Sequence, residues 1–369
     1  MQWILVAIAL ILFVAALPGA GASAPSGAQD AKPPYPPSPV IAGITWHWDT
    51  YRTAAPGSDL WPVTWAVDDN LYTAWGDGGG FGGTDSEGRV AMGFARIQGP
   101  PERFLGINVN GGMNPEHPAS FPERGKTGGI LAAGGTLYAW VNLQDGDWPH
   151  VDVGLVWSRD RGATWQHSSW VFPKGAGHFK PSTFLNFGRD YSGVPGHLKG
   201  FAYFYGQRQG QETEIFMGRV PVHRMQERDA YEFLSGFVNN QPVWSPDASK
   251  LYPIFTDARG CADLAGAVYN PGLQRYLLTS FHKGPGQLGL FDGPEPWGPW
   301  TTVAYYEDWG HMGAAGEGLT CSFPQKWLSA DGRTAWCVFS VYGGGAKQGI
   351  NAHDRFNLVQ ATFTLRSLP

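Results

Sequence analysis

The chain of 369 residues is short of charge: Asp, Glu, Lys and Arg make up only 15% of it, barely more than the 14% that is aromatic. A solvated all-helical chain or a disordered polyelectrolyte needs a larger charged share, so both are excluded for most of the length. Basic residues are outnumbered 31 to 26, leaving a net charge of −5, which argues against a nucleic-acid partner. Cysteine is scarce as well. Three cysteines are too few for a disulfide scaffold, so the core must carry the stability. No H-x-x-H or paired-cysteine spacing occurs, so zinc is not expected, and neither is any other metal or cofactor. The acidic stretch Asp145–Asp152 offers oxygen ligands of the kind calcium takes, but it reads more simply as a solvated loop.

Trp3–Leu17 is apolar and runs into Pro18-Gly19-Ala20-Gly21-Ala22-Ser23-Ala24, a small-residue stretch of the secretory-signal kind. A cut after Ala24 would leave Pro25 behind the scissile bond, so cleavage is expected after Ala22. The apolar run is short for a membrane span, and no cysteine follows it to take a lipid. Ser23–Pro39, rich in Pro and Ala, reads as an extended linker. The expected layout is a signal at residues 1–22, a linker at 23–39 and one domain at 40–369. The mature chain is expected to be exported, monomeric and without stable membrane insertion.

Glycine is what the chain has in excess: 52 residues, interspersed with short β-rich runs. That mixture suits many tight turns. Its organising stretch is Gly57–Gly83. Leu60–Val67 and Leu71–Trp75 flank Asp68-Asp69-Asn70, which reads as a hairpin, with Val90–Ile97 as a third strand. The fold-back sets Asp59, entering the first strand, about opposite Asp77, leaving the second. Two carboxyl groups held that close share a proton and push one pKa up, the arrangement that acid/base chemistry on a glycosidic bond requires. The run Gly78–Gly83 beside them gives a ligand access to the backbone.

Four further units follow. Gly128–Ala132, Leu137–Leu143 and Val151–Ser158 make the second; Ser182–Phe187, Gly200–Tyr205 and Glu214–Val220 the third. Leu264–Tyr269, Tyr276–Phe281, Gln287–Phe291 and Trp300–Tyr306 make the fourth; Phe323–Leu328, Thr334–Val341 and Phe356–Leu365 the fifth. Val40–Asp49 is placed to close a ring by pairing with the last unit, and Pro100–Arg124 reads as a long loop. Five such units predict an all-β, single-domain, five-bladed β-propeller. Residues flanking each inner hairpin then surround one central pocket: Asp59, Asp77, Lys126, Thr127, Asn142, Lys180, Ser182, Tyr205, Asp263, His282, Ser322 and Ser340. Trp61, Trp75 and Trp140 are candidates to stack on sugar faces. Side-by-side inner strands of the last two units predict a Cys261–Cys321 disulfide with Cys337 a buried free thiol; register is read as disfavouring Cys321–Cys337, and three reduced cysteines are the alternative.

Ser158-Arg159-Asp160-Arg161-Gly162-Ala163-Thr164-Trp165 resembles the Asp-box turn of sialidase-type propellers, an architectural motif. Gly57-Ser58-Asp59 and Gly76-Asp77-Gly78 resemble the Gly-Thr-Asp and Gly-Asp-Thr motifs of a family of secreted bacterial five-bladed propellers, long classed as of unknown function, that includes endo-D-arabinanases. Ser58 and Gly78 depart from the threonines of that pattern. Glu295-Pro296-Trp297-Gly298-Pro299-Trp300 looks like the fourth-blade Gly-Pro-Trp turn of other five-bladed glycosidases. The resemblance implies a carboxylate pair at Asp59 and Asp77 and a polysaccharide substrate. Two other readings stay open. One is a polysaccharide lyase, with Lys126, Lys180, Arg208 and His282 neutralising a uronate and His282 or Tyr205 abstracting the α-proton. The other is a carbohydrate-binding propeller without catalysis.

Overall fold

The computed structural model describes residues 32–117, 125–143, 151–261, 266–282, 287–311, 317–342 and 350–367. The chain divides into two units, Met1–Lys32 and Pro33–Pro369, and of the first only Lys32 is described. The expected signal therefore lies outside the described residues.

The second unit is a five-bladed β-propeller. After β1 (Ile41–Ala54), the first blade is β2 (Asp59–Trp65), β3 (Leu71–Gly76), β4 (Met92–Gln98) and β5 (Leu105–Asn110). The second is β6 (Lys126–Ala133), β7 (Thr136–Leu143), β8 (Asp152–Ser158) and β9 (Gln166–Phe172). The third is larger: β10 (Phe179–Phe184), β11 (Phe201–Arg208), β12 (Gln211–Pro221), β13 (Glu232–Val238) and β14 (Gln241–Ser245), with the short β15 (Phe255–Thr256) also paired to β12. The fourth is β16 (Gly266–Asn270), β17 (Arg275–Ser280), β18 (Leu288–Gly293) and β19 (Thr301–Tyr306). The fifth is β20 (Glu317–Ser322), β21 (Thr334–Tyr342) and β22 (Phe356–Leu365), completed by β1 as its outermost strand. That last pairing, Ile41 opposite Leu365 through Ala54 opposite Phe356, joins the two ends of the unit and closes the ring as expected.

Three expectations are corrected. Leu105–Asn110, inside the expected loop, is a strand: Phe94 pairs with Asn110 and Gln98 with Leu105. The fifth inner strand is Glu317–Ser322, and Gln325–Trp327 beyond it is a single 3-10 turn. Ser322 therefore ends its strand and lies at the opposite end from the rim. The tail of the expected linker is docked: Thr302 donates its N–H to Pro36 O at 2.8 Å, and the Tyr35 ring packs 5.1 Å from that of Phe255. The Asp-box geometry is present between β8 and β9. Asp160 Oδ1 accepts from Thr164 N at 2.9 Å, while Trp165 is buried and stacks on Phe94 at 3.8 Å.

Cohesion comes from aromatics between blades. Trp140, without solvent exposure, stacks on Phe184 at 5.1 Å and meets Phe204 edge-on at 5.4 Å. Removing such a ring costs about 3–5 kcal/mol. Trp61 and Trp75 stack on each other at 5.8 Å, also without exposure. None of the three faces solvent, so they are packing residues and not sugar platforms. Nearness to the rim does not expose them, because the first two strands of a blade are buried on both faces, as the uniformly buried Leu71–Gly76 shows.

Candidate active site

Every inner strand starts on one face, and each second strand returns to it; the loops from second to third strand lie there too. On that face Asp59 opens β2 opposite Gly76, the last residue of β3, so Asp77 sits beside it. The local backbone is forced. Leu60 and Trp61 take φ of +75° and +65°, and Asp77 takes +52°, all in the left-handed region that side chains avoid. The register slips between Leu60 and Val63, so a bulge aims Asp59. The fifth blade grips this segment: Leu60 N donates to Ser340 Oγ at 3.2 Å, and Thr320 Oγ1 donates to Leu60 O. The Trp61 indole anchors it from beneath, donating to Ser58 O at 3.0 Å.

The two carboxyl groups have different surroundings. Asp59 Oδ1 is sealed from solvent with no hydrogen-bond partner. Burial pushes the Asp59 pKa up to about 7; Lys126 opposes the rise, and Asp77 and Asp354 add to it. Asp77 is more open and faces two cations. Lys126, the first residue of β6, donates from Nζ to Asp77 Oδ1 at 2.6 Å and to Ala91 O at 2.8 Å. Arg89 lies 3.2 Å from the same Asp77 oxygen and also pairs with Asp85.

A third carboxyl group arrives from the far end of the chain. Asp354, just before β22, accepts at its carbonyl from Gly57 N at 2.8 Å and Ser58 N at 3.1 Å. Its side chain is partly buried, with His353 Nε2 3.4 Å from Oδ2 and Oδ1 unpartnered. Burial raises its pKa; His353 and Arg89 oppose this, while Asp77 and Asp85 reinforce it. Asp59, Asp77 and Asp354 thus share one electrostatic environment with Lys126 and Arg89. Sequence reasoning missed Asp354 and Arg89. Both sit in loops between second and third strands, whereas the rim was read only from residues flanking the inner hairpins.

Of the other expected rim residues, Asn142 pairs in register with Lys126, with Oδ1 buried and unpartnered. Thr127 is buried and bonds Trp140 O at 3.3 Å. Lys180 is the second residue of the third inner strand, opposite Gln207, and is buried. Ser182 is buried and donates to Lys180 O at 3.3 Å. Tyr205 is not on the rim: β11 runs to Arg208, and the buried Tyr205 hydroxyl donates to Pro296 O at 2.7 Å, in the turn between β18 and β19. Arg208 is engaged with Leu251 O at 3.4 Å and the Phe216 ring at 5.0 Å. Asp263 lies outside the described residues, as does 145–150 of the acidic loop; Asp152 accepts from Lys174 N at 2.7 Å. Among the described residues, no three His, Cys, Asp or Glu side chains gather as a metal site would require.

His282 is separated from the carboxyl cluster. It is buried, stacked on Tyr305 at 4.0 Å, and its electrostatic neighbours are Asp257, Arg259 and Glu307. Burial, chiefly, drives its pKa down to about 4, with Asp257 and Glu307 opposing. Its folded pKa lies below the unfolded value near 6.5, so its contribution is present above that pH and lost as pH falls toward 4. His282→Gln is expected to flatten this acid limb, which amounts to at most about 3 kcal/mol. Tm measured from pH 4 to 8 checks it; an acid limb as steep as that of the wild type would show that His282 is not the titrating group.

Comparison with known proteins adds a family. The sequence profile described as a domain of unknown function (DUF4185) matches residues 131–340. The chain belongs to this family. The matched stretch of this DUF4185 chain starts after the first blade and ends before Asp354, so it does not cover Asp59, Asp77 or Asp354. No curated protein matches the chain. Among solved structures, a GH43_1 enzyme from Xanthomonas citri is similar at 11% identity with a TM-score of 0.48, over 87% of this chain and 94% of that one. A family 117 glycoside hydrolase from the marine bacterium Zobellia galactanivorans gives 11% identity and a TM-score of 0.46, over 88% of this chain and 90% of that one.

Proposed function

We propose that this DUF4185 propeller is a secreted glycoside hydrolase that cleaves a polysaccharide at the face carrying Asp59 and Asp77. The observation that carries the reading is the contrast between these two neighbouring groups. Asp59, with one oxygen sealed off and a pKa of about 7, keeps its proton through mildly acidic pH and in part at neutral pH. Asp77 is more open and is ion-paired with Lys126 and Arg89. A carboxyl group kept protonated by burial beside a second, more open one is the division of work that glycoside cleavage uses. Asp59 protonates the departing glycosidic oxygen, and the Asp77 carboxylate attacks the anomeric carbon or activates water.

The lyase reading is less well supplied: of its four groups Lys126 is paired with Asp77, Arg208 is engaged elsewhere, His282 lies in another cluster, and Lys180 remains, buried in β10. A site with Asp77, Asp85 and Asp354 around it disfavours a polyanionic uronate and suits a neutral glycan. D-arabinan is the polymer named by the resemblance of the first hairpin. The test is a polysaccharide panel including D-arabinan and uronate polymers, with products read by mass and ultraviolet absorbance. Plain reducing ends support the proposal, unsaturated ends mark a lyase, and binding without product marks a carbohydrate-binding propeller.

Gly76 provides a sharper probe. A Cβ there would fall 2.5 Å from Asp59 Oδ1, 2.9 Å from Leu60 Cδ1 and 3.0 Å from Lys126 Cδ. All three are side-chain atoms, so Gly76→Ala is expected to fold but to displace the Asp59 carboxyl group and Lys126. A displacement on the order of 1 Å costs about 10²-fold in turnover. Unchanged kcat on the substrate found by the panel would detach Asp59 from the chemistry.

A further inference from the structure

Cys321 and Cys337 lie on the adjacent antiparallel strands β20 and β21. Cys321 pairs with Phe339, which places Cys337 diagonally across on the same face, and the two Sγ atoms are in contact at 2.7 Å. Neither has meaningful solvent exposure, and both belong to the core of the fifth blade. The expected Cys261–Cys321 pairing is overturned: Cys261 lies on the third-blade side, where Gln207 Nε2 donates to its carbonyl at 2.9 Å and approaches its sulfur at 3.2 Å. Cys321 is the next-to-last residue of β20, away from the rim at which the inner strands begin side by side.

These two strands are also the ones that hold the acid in place. Thr320, next to Cys321, donates to Leu60 O, and Ser340, on the strand of Cys337, accepts from Leu60 N. Leu60 is the strained residue directly after Asp59. A segment in an unfavourable backbone region persists only where its surroundings over-determine it. Fixing β20 to β21 would stiffen both of its handholds at once.

We propose that Cys321 and Cys337 form an intrachain disulfide that braces the strained Asp59 segment from the fifth blade. The bond forms by thiol–disulfide exchange with an oxidant of the disulfide class, a small-molecule disulfide or a disulfide-bearing oxidoreductase. The two thiols give up two protons and two electrons, one S–S bond forms, and the oxidant's disulfide is reduced to two thiols. Burial holds the Cys337 thiol well above its ordinary pKa, so the thiolate that exchange needs is scarce once the blade has packed. Bond formation therefore precedes closure of the ring. An exported chain meets such oxidants.

The test uses the full chain, unfolded and refolded in a glutathione/glutathione-disulfide buffer, then denatured without reductant, alkylated and digested. The expected result is alkylation of Cys261 alone and a cross-linked peptide pair containing Cys321 and Cys337. Alkylation of all three cysteines, or a link that includes Cys261, overturns the proposal. The bracing claim, which rests on the hydrolase reading, is tested on the Cys321→Ala/Cys337→Ala double variant. A Tm lowered by about 5 °C or more, together with reduced kcat on the panel substrate, is expected. An unchanged Tm or kcat overturns bracing. Peptide mapping and Tm need no substrate, so the disulfide and the hydrolase reading fail separately.

Discussion

Asp59→Asn is expected to lower turnover by about 10²–10⁴-fold, the usual cost of removing an acid/base group, and at the same time to stabilise the fold above neutral pH. The second effect follows from linkage. The Asp59 pKa rises from 3.8 to about 7 on folding, because burial penalises the charge. Its favourable contribution is complete below the unfolded value and is lost as pH rises through 7. Above that the folded protein carries a buried charge that asparagine does not. Some three pKa units correspond to about 4 kcal/mol, which is the upper bound of the gain at pH 8. Below pH 4 the two proteins should be equally stable. Tm as a function of pH, with kcat on the panel substrate, measures both effects. A merely structural aspartate would lose stability on replacement, so a lower Tm at pH 8 with retained activity would sink the assignment.

Asp77→Asn is expected to cost a similar 10²–10⁴-fold in turnover, with a different signature. Its removal leaves Lys126 without its carboxylate at 2.6 Å, while Asp59 loses a negative neighbour. Both changes favour the charged form of Asp59, so its pKa falls. The loss of stability between pH 4 and 7 in the wild type should therefore shrink in Asp77→Asn, and any residual activity should lose its alkaline limb at lower pH. Activity within tenfold of the wild type would remove Asp77 from the reaction. An unshifted pH profile in an inactive variant would show that the two groups are not coupled.

How much of this was legible in advance depended on how local each contact is. Asp59 and Asp77 flank one hairpin, and the turn at Asp68-Asp69-Asn70 sets their approach, so alternation and turn chemistry brought them together. The Asp-box turn and the count of five blades were legible for the same reason, since each depends on residues a few positions apart. The three tryptophans were misjudged because nearness to the rim does not show whether a ring meets solvent, and the strands that carry Trp75 and Trp140 have almost no exposed face.

The sequence by itself thus determined the all-β class, the blade count and the pair of aspartates, all products of short-range backbone preference. Tertiary structure alone decided what surrounds that pair. The pairing of Ile41–Ala54 with Phe356–Leu365 draws the far end of the chain against Gly57 and Ser58, and this delivers Asp354 to the site. The same closure supplies Thr320 and Ser340 to hold Leu60, and strand register on the fifth blade sets Cys321 against Cys337. Even the raised pKa of Asp59 is tertiary, because burial creates it and Lys126 on the neighbouring blade moderates it. No local rule encodes such contacts: they depend on where the ring shuts, and that is settled by the summed packing of all five blades.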